Sequence, residues 1–482
     1  MRTHDACRAS AVRGAAVGFA AFVLAARTIA APAPACAAWP SDPRTNCVLG
    51  SAARASESPR IASDGSGGVY VVWHDEGDTG TGGIRIQRVD ASGRVAWAAG
   101  GLRPCRRGGA RRAPQVIAAD SGAAIVAWQE LRDTTDWDVF AQRVDRNGRL
   151  RWGERGVRVT RARGAQVNPC LTGDGHGGAL LAWEDRRAGD AADLYAQRID
   201  SAGAARWTED GVPVVLEPGN QSVRGIIMDG GGGAFVAWLD TGVADESARL
   251  HLQRIDAGGG LRWSPDLVIA DDADGSSYPA LIADQRGGAI VAWEAAGLLT
   301  QRVSADGARL WTRAGVPLSP NSLGAPVLVA DGAGGAVAAW EDVGVAGEAS
   351  DLFAQHVTAG GAPAWTERGV LVSGAAGSQS DPAIATDDAG GAIICWRDAR
   401  TEPAGDLYAQ RADSTGALAW ATDGIAVCTA PGPAGAPVVL ADGRGGAVVA
   451  WRDSRFEPAI YAQRIDASGQ LGDAPPRPPA RR

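Results

Sequence analysis

Apolar and polar positions along this chain repeat a short phrase: a run of small and β-branched residues, a Gly-rich break, then a second run that ends on tryptophan. Gly446-Ala447-Val448-Val449-Ala450-Trp451 is one copy. The terminal tryptophans are Trp73, Trp128, Trp183, Trp238, Trp293, Trp340, Trp396 and Trp451, spaced by 55 residues except for 47 and 56 on either side of Trp340. A second series (Trp39, Trp97, Trp152, Trp207, Trp263, Trp311, Trp365, Trp420) runs between them. A fixed period of this size is an internal repeat, and each repeat is one supersecondary unit. Within the last unit, Ala436–Asp442 and Ala447–Trp451 read as strands joined by a glycine turn. Ile460–Asp466 is a third strand that ends in the hairpin signal Asp-x-x-Gly. The fourth strand is the segment from Trp420 to Cys428. We name these strands a, b, c and d.

Four antiparallel strands per unit and eight units predict an all-β, eight-bladed β-propeller. A solenoid would need atypical capping units, and the outer units here are as regular as the inner ones. The last unit has no strand d after Asp466, whereas Trp39, Asp42 and Cys47 match Trp420, Asp423 and Cys428 in type and spacing. The N-terminal strand is therefore expected to close the ring. The expected organisation is a signal peptide over 1–37, the propeller over 38–470 and a Pro-rich tail over 471–482.

The signal peptide is read from Arg2, Arg8 and Arg13 followed by the apolar stretch Gly14–Ala26, too short to span a bilayer. Cleavage is expected just before Ala38, with lipid attachment at Cys36 as the weaker alternative. The protein is thus expected to be secreted, extracellular or periplasmic, monomeric, and not inserted in a membrane. The cysteines give no evident disulfide framework: Cys47, Cys105 and Cys428 hold one site in three units and read as small buried hydrophobes. The formal charge is −8, and losing residues 1–30, with four arginines and one aspartate, makes the rest more negative still. This argues against nucleic acid as a partner.

Units of the form W-x-D-x-R, D-L-Y-A-Q-R-I-D-x-x-G, then W and G-V resemble those of secreted bacterial propeller-repeat proteins; here they are Trp183–Arg187, Asp193–Gly203, and Trp207 with Gly211-Val212. The resemblance implies a propeller and export, and no reaction. A more distant likeness is to sialidase-type propellers, through strands such as Asp64–Trp73. Their Asp-box is not met, because Asp200–Trp207 carries two extra residues between Asp and Trp.

What every unit shares is expected to be structural. The aspartate of each a–b turn (Asp64 through Asp442) is expected to cap its own turn. The Gln-Arg pair of strand c (Gln87-Arg88 through Gln463-Arg464, with His356 in unit 6) is expected to stack on tryptophan or to pair with an aspartate such as Asp185. Function is sought where the copies differ, on the face carrying the long b–c and d–a loops. There the arginines Arg106, Arg107, Arg111 and Arg112, with Arg161 and Arg163, surround Trp137, a tryptophan outside both series. Indole and guanidinium suit an anionic glycan or an acidic peptide. The main expectation is a non-enzymatic binding or scaffold propeller whose partner is a glycan or a protein. The alternative is a carbohydrate-active, sialidase-like hydrolase, with Tyr278 and Glu294 as nucleophile and base, or Asp271 and Glu294 as a carboxylate pair. No cofactor is expected, apart from Ca²⁺ as an option at the acidic loop of Asp271, Asp272 and Asp274.

Overall fold

A computed structural model describes residues 36–51, 56–76, 83–106, 109–131, 136–241, 248–275, 278–343 and 349–472. Residues 1–35 of the signal-peptide segment, residues 473–482 of the tail and Arg107 lie outside those residues. Eight antiparallel sheets follow one another along the chain, seven of four strands and one of three. In the three-stranded blade 1 the fourth position is reduced to a bridge between Ile86 and Leu102. The a strands of successive blades touch one another around the whole ring, blade 8 meeting blade 1, so strand a is innermost. Among the described residues no helix is long and apolar enough to cross a membrane.

Blade 8 is ordered Cys47–Ser51, Ala459–Ile465, Ala447–Asp453, Ala434–Ala441, so its outer strand comes from the other end of the chain. Cys47 lies opposite Ala462 and Val48 opposite Tyr461. Asn46 Nδ2 donates to the Val427 carbonyl at 2.9 Å, and Arg455 donates to the Arg44 carbonyl at 3.0 Å and to Asn46 Oδ1 at 2.9 Å. The borrowed strand covers the outer edge of Ala459–Ile465, which would otherwise be open to pairing with another chain.

Both tryptophan series have one job in every blade. The eight at the ends of the b strands are fully buried between sheets. The eight of strand d latch blade to blade: each indole N–H donates to a carbonyl in the c–d turn of the next blade, from Trp97 to Arg146 at 3.3 Å through Trp420 to Ala467 at 3.3 Å. Trp39, on the borrowed segment, completes the series by reaching Ala91 of blade 1 at 3.2 Å. The turn must come close beneath that indole. At Gly203 (φ +91°) a Cβ would lie 2.8 Å from Trp152, and glycine alone provides both the space and the backbone angle.

Strand d is pinned by the repeated glutamine. Gln197 Oε1 accepts from the Trp207 amide at 3.0 Å, and its Nε2 donates to the Thr208 carbonyl at 2.9 Å. The partner of the repeated arginine differs from the sequence expectation. Arg198 pairs with Asp174 of the a–b turn (3.0 Å), and Arg254 with Asp229 (2.8 Å), Arg302 with Asp284 (2.7 Å) and Arg464 with Asp442 (2.7 Å) do the same. Strand c ends on the face that carries the a–b turns, whereas strand b ends on the other face, so Asp185 is out of reach. The aspartate of blade 3 does two things: Asp174 Oδ1 accepts the His176 and Gly178 amides at 2.8 Å, as expected for a turn cap, and Oδ2 takes the guanidinium, whereas Asp120 of blade 2 meets Arg143 through its side chain and the Ala123 amide through its carbonyl.

Asp185 binds its own blade instead. It accepts from Trp183 Nε1 at 2.8 Å and from Arg187, whose guanidinium stacks 3.6 Å over Tyr195. The same group recurs as Trp396, Asp398, Arg400 and Tyr408. This explains the W-x-D-x-R phrase as a structural clamp.

The cysteines depart from expectation at one point. Cys105, Cys395 and Cys428 are buried free thiols, but Cys36 and Cys47 are joined by a disulfide. Cys36 also accepts from the Val95 amide at 3.1 Å and packs on the core around Trp39. The expected cleavage point before Ala38 would remove this residue.

Candidate functional site

In the three-dimensional ring, residues from five blades converge on a cavity of about 740 Å³ at the mouth of the central channel, on the face of the b–c and d–a loops. Strand a supplies most of its wall. In blades 1, 2, 3, 7 and 8 the residue before a proline in this strand has positive φ: Ser58 (53°), Ala113 (51°), Asn168 (52°), Asp381 (54°) and Ala436 (51°). Each sits in a bulge where two residues of strand a oppose one of strand b, as Ser58 and Pro59 oppose Trp73 between the pairs Glu57–His74 and Arg60–Val72. Proline is tolerated because the inner edge of strand a has no ladder partner. A left-handed conformation in a non-glycine residue stores strain, and here the bulges ring the channel.

Just after these prolines the blades differ. Blade 1 has Arg60, blade 2 Gln115 and blade 3 Cys170, all lining the cavity, whereas the corresponding residues of blades 5 to 8 are Ala280, Val327, Ala383 and Val438. Arg60 donates to its neighbouring Pro59 carbonyl at 3.0 Å and makes no ion pair among the described residues. Desolvation at the channel wall lowers its pKa, although the residue is exposed on the channel side. Arg112 lies 5.7 Å over the Trp137 ring, and Arg224 lies 4.7 Å over the Tyr278 ring with its Nε buried and unpartnered. Three guanidinium groups without a carboxylate partner among the described residues therefore face one cavity. His74, Glu57, Glu76 and Glu184 share the wall. Burial lowers the His74 pKa, although Glu57 and Glu76 work in the opposite direction, which favours a neutral imidazole near pH 7. Glu184 is already engaged, accepting from Asn168 Nδ2 at 3.1 Å and from Ser222 Oγ at 2.9 Å. Desolvation pushes the Cys170 thiol up to about 12, so this cysteine is an inert wall residue.

The residues singled out from sequence are dispersed. Trp137 opens strand c of blade 2 (Trp137–Val144) opposite Leu131 instead of lying in the loop, and it is half-buried. Of the arginines grouped with it, Arg112 makes the contact. Arg111 is turned inward, paired with buried Glu130 at 2.9 Å, and Arg106 is paired with Glu154 at 3.0 Å on the surface. The Arg161 amide bonds to Asp210, and Arg163 donates to the Arg187 carbonyl at 3.3 Å, so both engage blade 3.

Tyr278 is 64% exposed on the cavity. Glu294 is buried, and desolvation, reinforced by Asp274 and Asp342, raises its pKa. Its acidic neighbour is Asp274, whose amide donates to the Glu294 carbonyl at 3.0 Å. Asp271 instead lies exposed in strand d of blade 4 (Leu267–Ala273), 3.8 Å from Arg249. Asp271 and Asp272 are the two residues that oppose Arg249 in a bulge of that strand, and both are exposed. Among the described residues no three His, Cys, Asp or Glu side chains gather as metal ligands.

No protein-family model matches the chain, and no curated protein matches it. Solved structures with a similar course include an ulvan polysaccharide lyase bound to -[GlcA(1-4)Rha3S]-, at 10% identity over 89% of this chain and 97% of that one, with a TM-score of 0.44. A sialidase, NanB, from Streptococcus pneumoniae matches at 10% identity over 78% and 71%, TM-score 0.36. A protein of unknown function from Dyadobacter fermentans matches at 13% identity over 73% and 94%, TM-score 0.36. No residue of the site is assigned from these likenesses.

Proposed function

We propose that the channel mouth binds an acidic saccharide. The observation that carries this reading is the set of three guanidiniums, Arg60, Arg112 and Arg224, held without carboxylate partners around one cavity, two of them on aromatic rings. Arginine forks suit carboxylate and sulfate groups, and exposed aromatic faces suit sugar rings. The volume falls in the range of small-molecule sites, roughly 300 to 1,000 Å³. Glu57 and Glu76 on the same wall favour a sugar over an acidic peptide: a carboxylate accepts from a sugar hydroxyl and repels a peptide carboxylate.

Calorimetric titration of a uronate oligosaccharide against the same oligosaccharide with its carboxylates reduced tests the reading. Binding of the acidic form alone, weakened by salt, is expected, with Trp137→Ala costing roughly 1 to 3 kcal/mol. Equal binding of both forms rejects it. A second reading, a glycan-cleaving enzyme at the same cavity, rests on His74 and Tyr278, proton-transfer groups that share the wall with the arginines. Chain shortening of the bound oligosaccharide, abolished in His74→Ala, separates the enzyme from the binder.

A further inference from the structure

The segment that closes the ring is short and is held from both sides. Cys47–Ser51 pairs with blade 8 through four residues, with a bulge between Val48 and Gly50. Upstream of that strand the chain crosses to blade 1. The Trp39 amide donates to the Ser92 carbonyl at 3.2 Å, the Trp39 indole to Ala91 at 3.2 Å, and the Cys36 carbonyl accepts from the Val95 amide at 3.1 Å. Ala91, Ser92 and Val95 lie in and beside the c–d turn of blade 1. Residues 36–51 are therefore a clasp across the seam of blades 8 and 1.

The disulfide joins the two halves of this clasp. Cys47 is fully buried in a core made of Val71, Trp73 and Val89 from blade 1 and Val448, Ile460 and Ala462 from blade 8, and Cys36 packs on the same core. Linking residues 11 apart closes a small loop. That removes freedom from the frayed clasp and so favours the docked one. Among the described residues the other cysteines, Cys105, Cys170, Cys395 and Cys428, are free thiols.

Two consequences follow for the processing of the chain. A Cys36 sulfur bonded to Cys47 has no valence left for the thioether of a lipid anchor. The clasp also needs Cys36 on the exported chain: of the two A-x-A sites, cleavage after Ala33-Pro34-Ala35 keeps this residue and cleavage after Ala35-Cys36-Ala37 discards it.

We infer that the leader is cut between Ala35 and Cys36, and that Cys36, then the first residue of the exported chain, locks the ring through its disulfide with Cys47. This rests on reading residues 1–35 as a leader and is independent of the saccharide reading. The bond forms by exchange with an oxidising protein disulfide outside the cytosol. The two thiols lose two protons and two electrons, and the oxidant is reduced to a dithiol. Thiols stay reduced before export, so covalent closure of the ring is tied to export.

The test exports the full chain from a bacterial host and maps it by mass spectrometry without reductant. Trypsin cuts after Arg44, so a peptide of residues 36–44 with a free α-amine is expected, joined to residues 45–54 until reductant parts them. A chain that begins at Ala38, a lipid on Cys36, or the two peptides unlinked with free thiols would each overturn the inference. Thermal melts read the lock itself. Reductant is expected to lower the melting temperature of the parent by roughly 3 to 6 °C. Cys36→Ser is expected to melt like the reduced parent and to ignore reductant, and it leaves the buried Cys47 side chain in place. A parent that melts identically with and without reductant overturns the lock even if the peptides are linked.

Discussion

The two faces of this ring treat arginine in opposite ways. On the turn face the strand-c arginine meets a carboxylate blade after blade, as Arg302 meets Asp284 at 2.7 Å with both side chains buried. At the channel mouth Arg60, Arg112 and Arg224 have aromatic rings, carbonyls or open space for company and no carboxylate. The first arrangement recurs in seven units, with His356 in place of the arginine in blade 6, and the second in none. Charge that is matched within the protein holds the fold, and charge left unmatched in a concave site is available to a ligand.

The largest effect should come from breaking a matched pair. Removing one partner of a buried ion pair strands the other charge, at a cost of about 3 to 5 kcal/mol. Asp284→Ala also removes the acceptor of the Arg286 and Gly288 amides at 2.7 Å, so its loss is expected at the upper end of that range by denaturant unfolding. A loss below about 1 kcal/mol would show that the turn-face pairs behave as surface pairs, and the contrast between the faces would disappear.

The repeat was readable because tryptophan is large and its spacing sets the blade. Ring closure was readable because Trp39 and Cys47 match Trp420 and Cys428, and the latch from Trp39 to Ala91 is its physical counterpart. The partner of the strand-c arginine was misread although topology alone decides it: strand c and the a–b turn end on one face, and the aspartate after the strand-b tryptophan ends on the other. Arg111 and Arg112 are adjacent in sequence, yet one pairs inside the blade with Glu130 and the other lies over Trp137. Alternation along a strand separates them, and the sequence reading treated the segment as a loop. The cavity left a signal that went unused, the X-Pro step near the start of strand a in blades 1, 2, 3, 7 and 8. What no single unit could reveal is the convergence of Arg60 and Tyr278, more than 200 positions apart in the chain and neighbours on one cavity only because the ring closes.

Blade 6 offers a smaller test within the turn face. In blades 2, 4, 5 and 7 the arginine also reaches the next blade: Arg254 donates to the Ala305 carbonyl and Arg302 to Ala359, each at 3.1 Å, the same carbonyls that Trp263 and Trp311 use. His356 pairs with Asp331 at 2.9 Å, but its Nδ1 is buried without a partner, so the seam between blades 6 and 7 lacks that bond. His356→Arg is expected to stabilise the protein by about 0.5 to 1.5 kcal/mol, one net hydrogen bond. The pH dependence has a defined sign. Burial opposes ionisation of Asp331, but His356 and the Ala333 and Gly335 amides hold its pKa below the usual carboxylate value. A lowered folded pKa gives stability that is complete above the unfolded value, about 3.9, and is lost as pH falls toward the folded one. Melting temperatures of both proteins should therefore fall together below about pH 4 while the variant keeps its lead near neutrality. An unchanged melt at pH 7 would mean that blade 6 carries no deficit.

The smallest effect on stability is expected where the largest effect on binding lies. Arg60 is exposed on the channel side of its strand, bonded only to the carbonyl of the residue before it. Truncating it strands no carboxylate and opens no packed core, so Arg60→Ala should unfold within about ±0.5 kcal/mol of the parent, as surface substitutions do. The same variant should bind the uronate oligosaccharide more weakly and lose part of the salt dependence, because one fewer guanidinium meets the ligand's charge. Denaturant unfolding and calorimetry on one preparation read both quantities. A destabilisation above about 2 kcal/mol would make Arg60 a hidden member of the structural set and remove the distinction between matched and unmatched arginines. Parent-like stability combined with parent-like binding would leave that distinction in place and move the ligand away from blade 1.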